Sequence, residues 1–156
     1  MLKNALTALA LVLTTSSAMA MSATEQEAAL IALDDEHKAF SVYTVIIESF
    51  GEVKPFSNII NAEAGHIAAL TNALEAAGVD VPENPYLNGE KARPVAPTSV
   101  QDACEIGVGA EIANAALYDD ELLPMVTGNA ELTGIFTTLR DASATKHLPA
   151  FQSCAN

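Results

Sequence analysis

Residues 55–70 read PFSNIINAEAGHIAAL, and this stretch has the apolar spacing of an α-helix. Apolar side chains recur at the three- and four-residue intervals of one helix face, at Phe56, Ile59, Ile60, Ile67, Leu70 and Leu74. Glu63 falls on the same face, and His66 follows three residues later, next to it on a helix. A carboxylate among apolar side chains is destabilising unless a partner neutralises it. The stretch therefore predicts a helix with a polar site on its buried face.

Glu63 and His66 together form the pattern Glu-x-x-His, which can supply ligands to a metal ion. In the four-helix bundles of di-iron carboxylate proteins, this pattern provides two ligands from one helix. The tetrapeptide alone is common by chance. A metal site would need further ligands from other helices.

The N-terminal residues 1–20 have the features of an export signal. Lys3 gives a positive start, residues 5–13 form an apolar run, and residues 18–20 (Ala-Met-Ala) resemble a cleavage site. A membrane anchor is the alternative, but the run is shorter than the roughly 20 residues that span a bilayer. We expect a mature protein over 21–156, periplasmic or secreted, without membrane contact after cleavage.

The charge of the chain limits its partners. The formal net charge is −13. Such a balance argues against nucleic acid and anionic membranes as partners. It suits the binding of cations, although a solvated acidic surface is the commoner explanation.

Cys104 and Cys154 are the two cysteines of the chain. In an exported protein an even number of cysteines favours a disulfide. Two separate buried thiols are the alternative.

Four amphipathic segments follow the signal, and none of the chain has a convincing strand pattern. Helices are expected over about 22–50, 55–77, 98–124 and 130–153. The segment 78–97 is rich in proline, which forbids a long helix there and predicts an extended linker. A linker of this length suits a crossover from one end of a helical bundle to the other.

Two of the expected helices carry the same spaced pair of residues. Glu36 is followed by Tyr43 after seven residues, and Glu111 is followed by Tyr118 after seven. Each glutamate interrupts the apolar face of its helix, as Glu63 does. His37 lies beside this face and is expected to face solvent.

The other two helices also match. Phe56 precedes His66 by ten residues, and Phe136 precedes His147 by eleven. Each half of the chain is therefore a helix with a glutamate, a turn and a helix with a histidine. Two such hairpins joined by a long crossover predict an all-α, ferritin-like four-helix bundle. Its approximate twofold axis would bring together five candidate metal ligands, namely Glu36, Glu63, His66, Glu111 and His147.

Four blocks of the sequence resemble a known family. The blocks are 33–39, 55–67, 110–119 and 142–151, the last through Ala142-Ser143 and His147-Leu148-Pro149-Ala150-Phe151. They look like the ferritin-like proteins catalogued as domain of unknown function 2202, distant relatives of rubrerythrin. The resemblance implies a ferritin-like fold with a metal centre, for which iron is favoured. Manganese, zinc and copper are alternatives.

The resemblance assigns the five candidate ligands to the family's pattern, but the fourth helix departs from it. A full di-iron site has a second Glu-x-x-His, whereas Ala144 and Ser143 stand three and four residues before His147. One bridging carboxylate is therefore missing. The five ligands would hold one metal well or two poorly, and water, Tyr43 or Tyr118 would complete the shell.

Two functions are compatible with this sequence. One is an exported metalloprotein with ferroxidase- or peroxidase-type oxidoreductase activity, which uses O2 or peroxide. The other is a non-catalytic helical bundle, with a structural metal or a closed polar core, that binds a partner. A homodimer is compatible with either, but no residue indicates it.

Overall fold

A computed structural model describes residues 20–156, and the expected export signal at 1–20 lies, except for Ala20, outside them. The described residues form helices and no strand, as predicted. The helices are α1 (Ala23–Phe50), α2 (Phe56–Ala76), the short α3 (Pro85–Asn88), α4 (residues 100–125) and α5 (residues 130–155). None of the helices described is long and apolar enough to cross a membrane.

Local signals begin and end α1 where the sequence predicts. Ser22 Oγ accepts a hydrogen bond from the Glu25 backbone N–H, and Glu25 Oε2 accepts one from the Ser22 N–H at 2.7 Å. This reciprocal capping box satisfies two backbone donors that the first turn leaves free. Gly51 ends the helix with a φ of 81°, a conformation that side chains disfavour.

Both long helices of the second half contain a π-helical turn. In α4 it covers Tyr118–Leu122, between Val100–Leu117 and Leu123–Met125. In α5 it covers Ser143–His147, between Ala130–Ala142 and Leu148–Ala155.

A leucine and then a proline follow each π-turn. Leu123 donates its backbone N–H to Tyr118 O, and Leu148 donates to Ser143 O, each five residues back. Proline has no N–H, and its ring clashes with the carbonyl four residues earlier in a regular helix. Each π-turn thus lies directly before a leucine-proline pair, where a proline disfavours a regular α-helix.

The π-turn in α5 explains the unequal spacing of the two halves. Phe56 and Phe136 both lie against a tyrosine, at centroid distances of 5.7 and 5.5 Å. Counting seven residues onward reaches Glu63 in α2 and Ser143 in α5. The π-turn then adds one residue before His147. Ser143, rather than Ala144, is thus the counterpart of Glu63.

The helices pack as two hairpins, α1 with α2 and α4 with α5. Their interior has two apolar clusters. One is built around Leu33, Leu70 and Phe136, and the other around Phe56 and Phe151. Polar residues occupy the space between them.

The segment between α2 and α4 lies along α1. The side-chain amide of Asn84 donates to the backbone oxygen of His37 at 3.1 Å, and the Tyr86 hydroxyl donates to Asp34 at 3.1 Å. This segment covers His37, which is only 6% exposed. The expectation that His37 faces solvent is wrong, because a segment nearly 50 residues away in sequence buries it.

Cys104 and Cys154 form a disulfide between the start of α4 and the end of α5, with Cα atoms 5.8 Å apart. The pairing predicted from the sequence is present, and the alternative of two buried thiols is not. The bond closes a loop of 50 residues within the second hairpin.

Breaking the disulfide should lower the free energy of unfolding. In the chain-entropy model a loop of this length contributes about 4 kcal/mol. We expect Cys154→Ser to lose about this amount in urea unfolding, with helical content retained at 25 °C.

Wild-type protein in a reducing agent is the matched control, and it should unfold at the urea midpoint of the variant. Equal midpoints for oxidised and reduced wild type would contradict a stabilising bond.

Candidate metal centre

Five polar residues meet between the two apolar clusters. Glu36 and Glu63 are 3% exposed, and Glu111 and His147 are 4% exposed. The side chain of His66 is 13% exposed. The structure thus brings together all five residues that the sequence singled out, one or two from each long helix.

Glu63 lies at the middle of this group. Its Oε2 atom is 3.1 Å from His66 Nδ1, and its Oε1 atom is 3.3 Å from His147 Nδ1. Glu36 Oε2 is also 3.1 Å from His66 Nδ1, and Glu111 Oε2 is 3.6 Å from His147 Nδ1. The five residues therefore form two groups of three that share Glu63, and each group could hold a metal ion.

Two tyrosines orient the outer carboxylates across the hairpins. Tyr43 on α1 donates its hydroxyl to Glu111 Oε1 on α4 at 2.8 Å. Tyr118 on α4 donates to Glu36 Oε1 on α1 at 2.9 Å. Each outer carboxylate therefore has one oxygen held by a tyrosine and the other turned toward a histidine. These contacts support an orienting role for the tyrosines.

Within the described part of the chain, His147 Nδ1 is buried and has no hydrogen-bond partner, despite the two nearby carboxylates. A buried polar atom without a partner is rare and destabilising. An imidazole nitrogen and converging carboxylate oxygens are ligands that transition metals accept. The orphaned nitrogen, aimed at two carboxylates, fits a metal ion in this group.

Protons partly neutralise the centre in the metal-free protein. Burial raises the pKa of the Glu63 carboxyl to about 9, and the neighbouring Glu36 adds to the rise. Burial opposes the charge on His66, but the carboxylates of Glu36 and Glu63 outweigh it and raise the pKa of His66 to about 10. At neutral pH both groups therefore carry a proton, which a metal ion would displace.

The pKa of the Glu36 carboxyl shifts in the opposite direction. Burial would raise the pKa of this carboxyl, but hydrogen bonds from His66, Glu63 and Tyr118 outweigh burial and lower it. The two adjacent carboxyls thus separate into an ionised Glu36 and a protonated Glu63.

Ser143 occupies the place where a symmetric site would have its second bridging carboxylate. The Ser143 hydroxyl donates to Asn114 Oδ1 at 2.7 Å. The Asn114 amide in turn donates to Asp35 Oδ2. The sequence does not reveal these linked hydrogen bonds, because Asn114 and Asp35 stand beside the apolar faces of their helices. The sequence left Ser143 and Ala144 as the candidate counterparts of Glu63, and the π-turn identifies Ser143.

No family model matches the chain, and no curated protein or solved structure is significantly similar to it. The family resemblance noted from the sequence blocks stays a prediction.

The metal-free protein should lose stability as the pH rises from about 5 to 9. Glu63 and His66 both hold their protons more tightly in the folded chain than in the unfolded chain. Stability is therefore present below the unfolded pKa of each group and is lost as the pH approaches the raised, folded value. The measurement is the thermal midpoint of chelator-treated protein at several pH values.

Glu63→Gln is the matched variant, because it removes the titrating carboxyl with little change of shape. We expect its midpoint to depend less on pH in this window. A wild-type midpoint that is constant or rises between pH 5 and 9 would contradict the raised pKa values.

Proposed function

We propose that the four long helices form a ferritin-like bundle that holds a dinuclear metal centre. Glu63 would bridge the two ions, with Glu36 and His66 on one and Glu111 and His147 on the other. The observation that carries the proposal is the pair of three-residue groups that share one central carboxylate. The position of His147 Nδ1 supports it, because this atom lies 3.3 and 3.6 Å from carboxylate oxygens of two other helices without hydrogen-bond geometry to either.

Iron is the metal that we propose. Three carboxylates with two imidazoles suit iron or manganese better than a thiolate-preferring metal. The resemblance to rubrerythrin-related proteins also favours iron. When bound, iron would supply the one-electron chemistry of Fe(II) oxidation by O2 or peroxide.

The residues of the chain would position and shield the centre. Tyr43 and Tyr118 hold Glu111 and Glu36 in place across the two hairpins. The two apolar clusters flank the centre and would shield it from water on those two sides. The protons on Glu63 and His66 would leave as metal enters, so metal affinity should rise with pH.

The disulfide and the acidic charge fit an exported location for this protein. Disulfides persist in oxidising compartments such as the periplasm or the extracellular space. The net charge of −13 would attract cations toward the molecule.

Loss of single ligands should change the metal stoichiometry in steps. Glu63 is shared, so Glu63→Gln should remove most of both metal ions. Glu111→Gln should remove only one of the two. The measurement is elemental analysis after dialysis of Fe(II)-loaded protein, with helical content checked by circular dichroism.

Glu75→Gln is the control, because Glu75 is an exposed glutamate on the same helix as Glu63. It should retain two ions per chain. If Glu63→Gln retains as much metal as this control, Glu63 does not bridge the ions and the proposal fails.

Oxidoreductase activity should appear as O2 consumption when Fe(II) is added to the metal-free protein. The rate should fall at least tenfold in His147→Ala, which removes the imidazole ligand of one group. A folded protein that binds metal without consuming O2 or peroxide would instead support a structural metal in a non-catalytic bundle.

A further inference from the structure

A pocket of about 440 Å³ lies between α1 and α4 and leads from the surface to the candidate metal centre. Its walls are mostly apolar or small, with Ala39, Val42 and Ile46 on α1 and Ile106, Gly107 and Ala110 on α4. The polar side chains of Asp35, Tyr43 and Asn114 also line it. A volume of this size is typical of sites for small organic ligands.

The closed end of the pocket is polar. Glu36, Glu63, Glu111 and Ser143 line it, whereas His66 and His147 do not. The pocket therefore reaches the carboxylate side of the centre, and the histidines lie on the far side. A molecule in the pocket would meet the centre beside Ser143.

Ser143 makes room at this end. Its counterpart Glu63 fills the equivalent place in the first hairpin with a carboxylate. The serine hydroxyl is instead engaged with Asn114 at 2.7 Å, so it extends no ligand toward the centre. The position of the missing carboxylate and the closed end of the pocket thus coincide.

The ligands of the proposed centre leave it one negative charge short, and Asp35, the other carboxylate that lines the pocket, is engaged with Asn114. Two divalent ions bring four positive charges, and Glu36, Glu63 and Glu111 bring three negative ones. Both histidines are neutral when they bind metal. A desolvated unpaired charge is unfavourable, so a further anion beside Ser143 would stabilise the loaded centre.

We propose that this pocket binds an aliphatic monocarboxylic acid of medium chain length, whose carboxylate takes the ligand position that the serine leaves open. The chain of the acid would lie along the apolar walls. Among residues 20–156, Lys38 is the single basic side chain that lines the pocket, and it is exposed to solvent, where it would attract an anion. This inference rests on the proposed metal centre.

Calorimetric titration of the Fe(II)-loaded protein under anaerobic conditions tests the proposal. Acetate, butyrate, hexanoate and octanoate should bind with increasing affinity. Each added methylene should strengthen binding roughly threefold to fourfold until the walls are covered. Octylamine should bind at least tenfold more weakly than octanoate, and octanoate should bind metal-free protein at least tenfold more weakly than loaded protein.

Two substitutions locate the acid within the pocket. Ser143→Glu rebuilds the missing carboxylate, so it should abolish octanoate binding while the metal is retained. Ala110→Phe places a large side chain on the exposed part of the wall. It should weaken octanoate at least tenfold and leave acetate nearly unchanged.

Ala116→Phe is the control for the second substitution, because Ala116 is an exposed alanine of α4 outside the pocket. It should bind octanoate like wild type. If Ser143→Glu does not fold, the comparison of Ala110→Phe with this control still decides the question.

Three results would overturn the proposal. They are a loaded protein that ignores all four acids, equal octanoate binding with and without metal, and equal effects of the two phenylalanine variants. If the protein holds two ions per chain in these experiments, only the acid site fails. If it holds no metal, the proposed centre fails and the acid site fails with it.

Discussion

Three carboxylates are buried at the centre of a largely apolar interior, and their neutralisation governs the arrangement around them. Glu36, Glu63 and Glu111 are nearly inaccessible to water. In the part of the chain that the structure describes, their neighbours are two histidines and two tyrosines rather than lysine or arginine. Such neighbours can donate hydrogen bonds and carry protons, and a metal ion can displace those protons. This combination is compatible with metal binding. In a permanent salt-bridge network, lysine or arginine side chains would instead occupy the space.

The two halves of the centre are neutralised differently in the metal-free protein. His66 contacts two carboxylates and shares their protons. His147 contacts none with hydrogen-bond geometry, although two carboxylates lie nearby. The difference coincides with the π-turn that ends at His147. π-turns occur often at functional sites, because the inserted residue re-aims neighbouring side chains. Compared with the first hairpin, the second has a serine in place of the carboxylate and one additional residue at the same place.

Much of the fold could be predicted from residue spacing. The apolar stripes, the Ser22 cap, Gly51 and the proline-rich segment 78–97 are local signals, and local geometry determines what they do. The paired spacings of Glu36 and Glu111 to their tyrosines added the relation between the halves. The five candidate ligands could be identified because polar or charged residues are unusual on an apolar helix face.

Other features depended on contacts between distant segments. The burial of His37 requires the segment around Asn84, whose path the sequence does not reveal. The role of Ser143 depends on the π-turn, in which the Leu148 N–H bonds to a carbonyl five residues back instead of four. The pocket lies between α1 and α4, and its lining combines residues of both helices. Helical periodicity describes one helix at a time and contains no information on any of these.

The crossed tyrosine contacts have a consequence for the origin of the chain. Tyr43 of the first hairpin donates to Glu111 of the second, and Tyr118 of the second donates to Glu36 of the first. Reciprocity of this kind defines an isologous interface, which two identical subunits make across a twofold axis. Each hairpin resembles one subunit of such a dimer, and the crossover joins the two in a single polypeptide. Covalent joining frees the two halves to diverge, since a substitution in one is no longer copied in the other. Ser143 opposite Glu63 is a difference that two identical subunits could not carry.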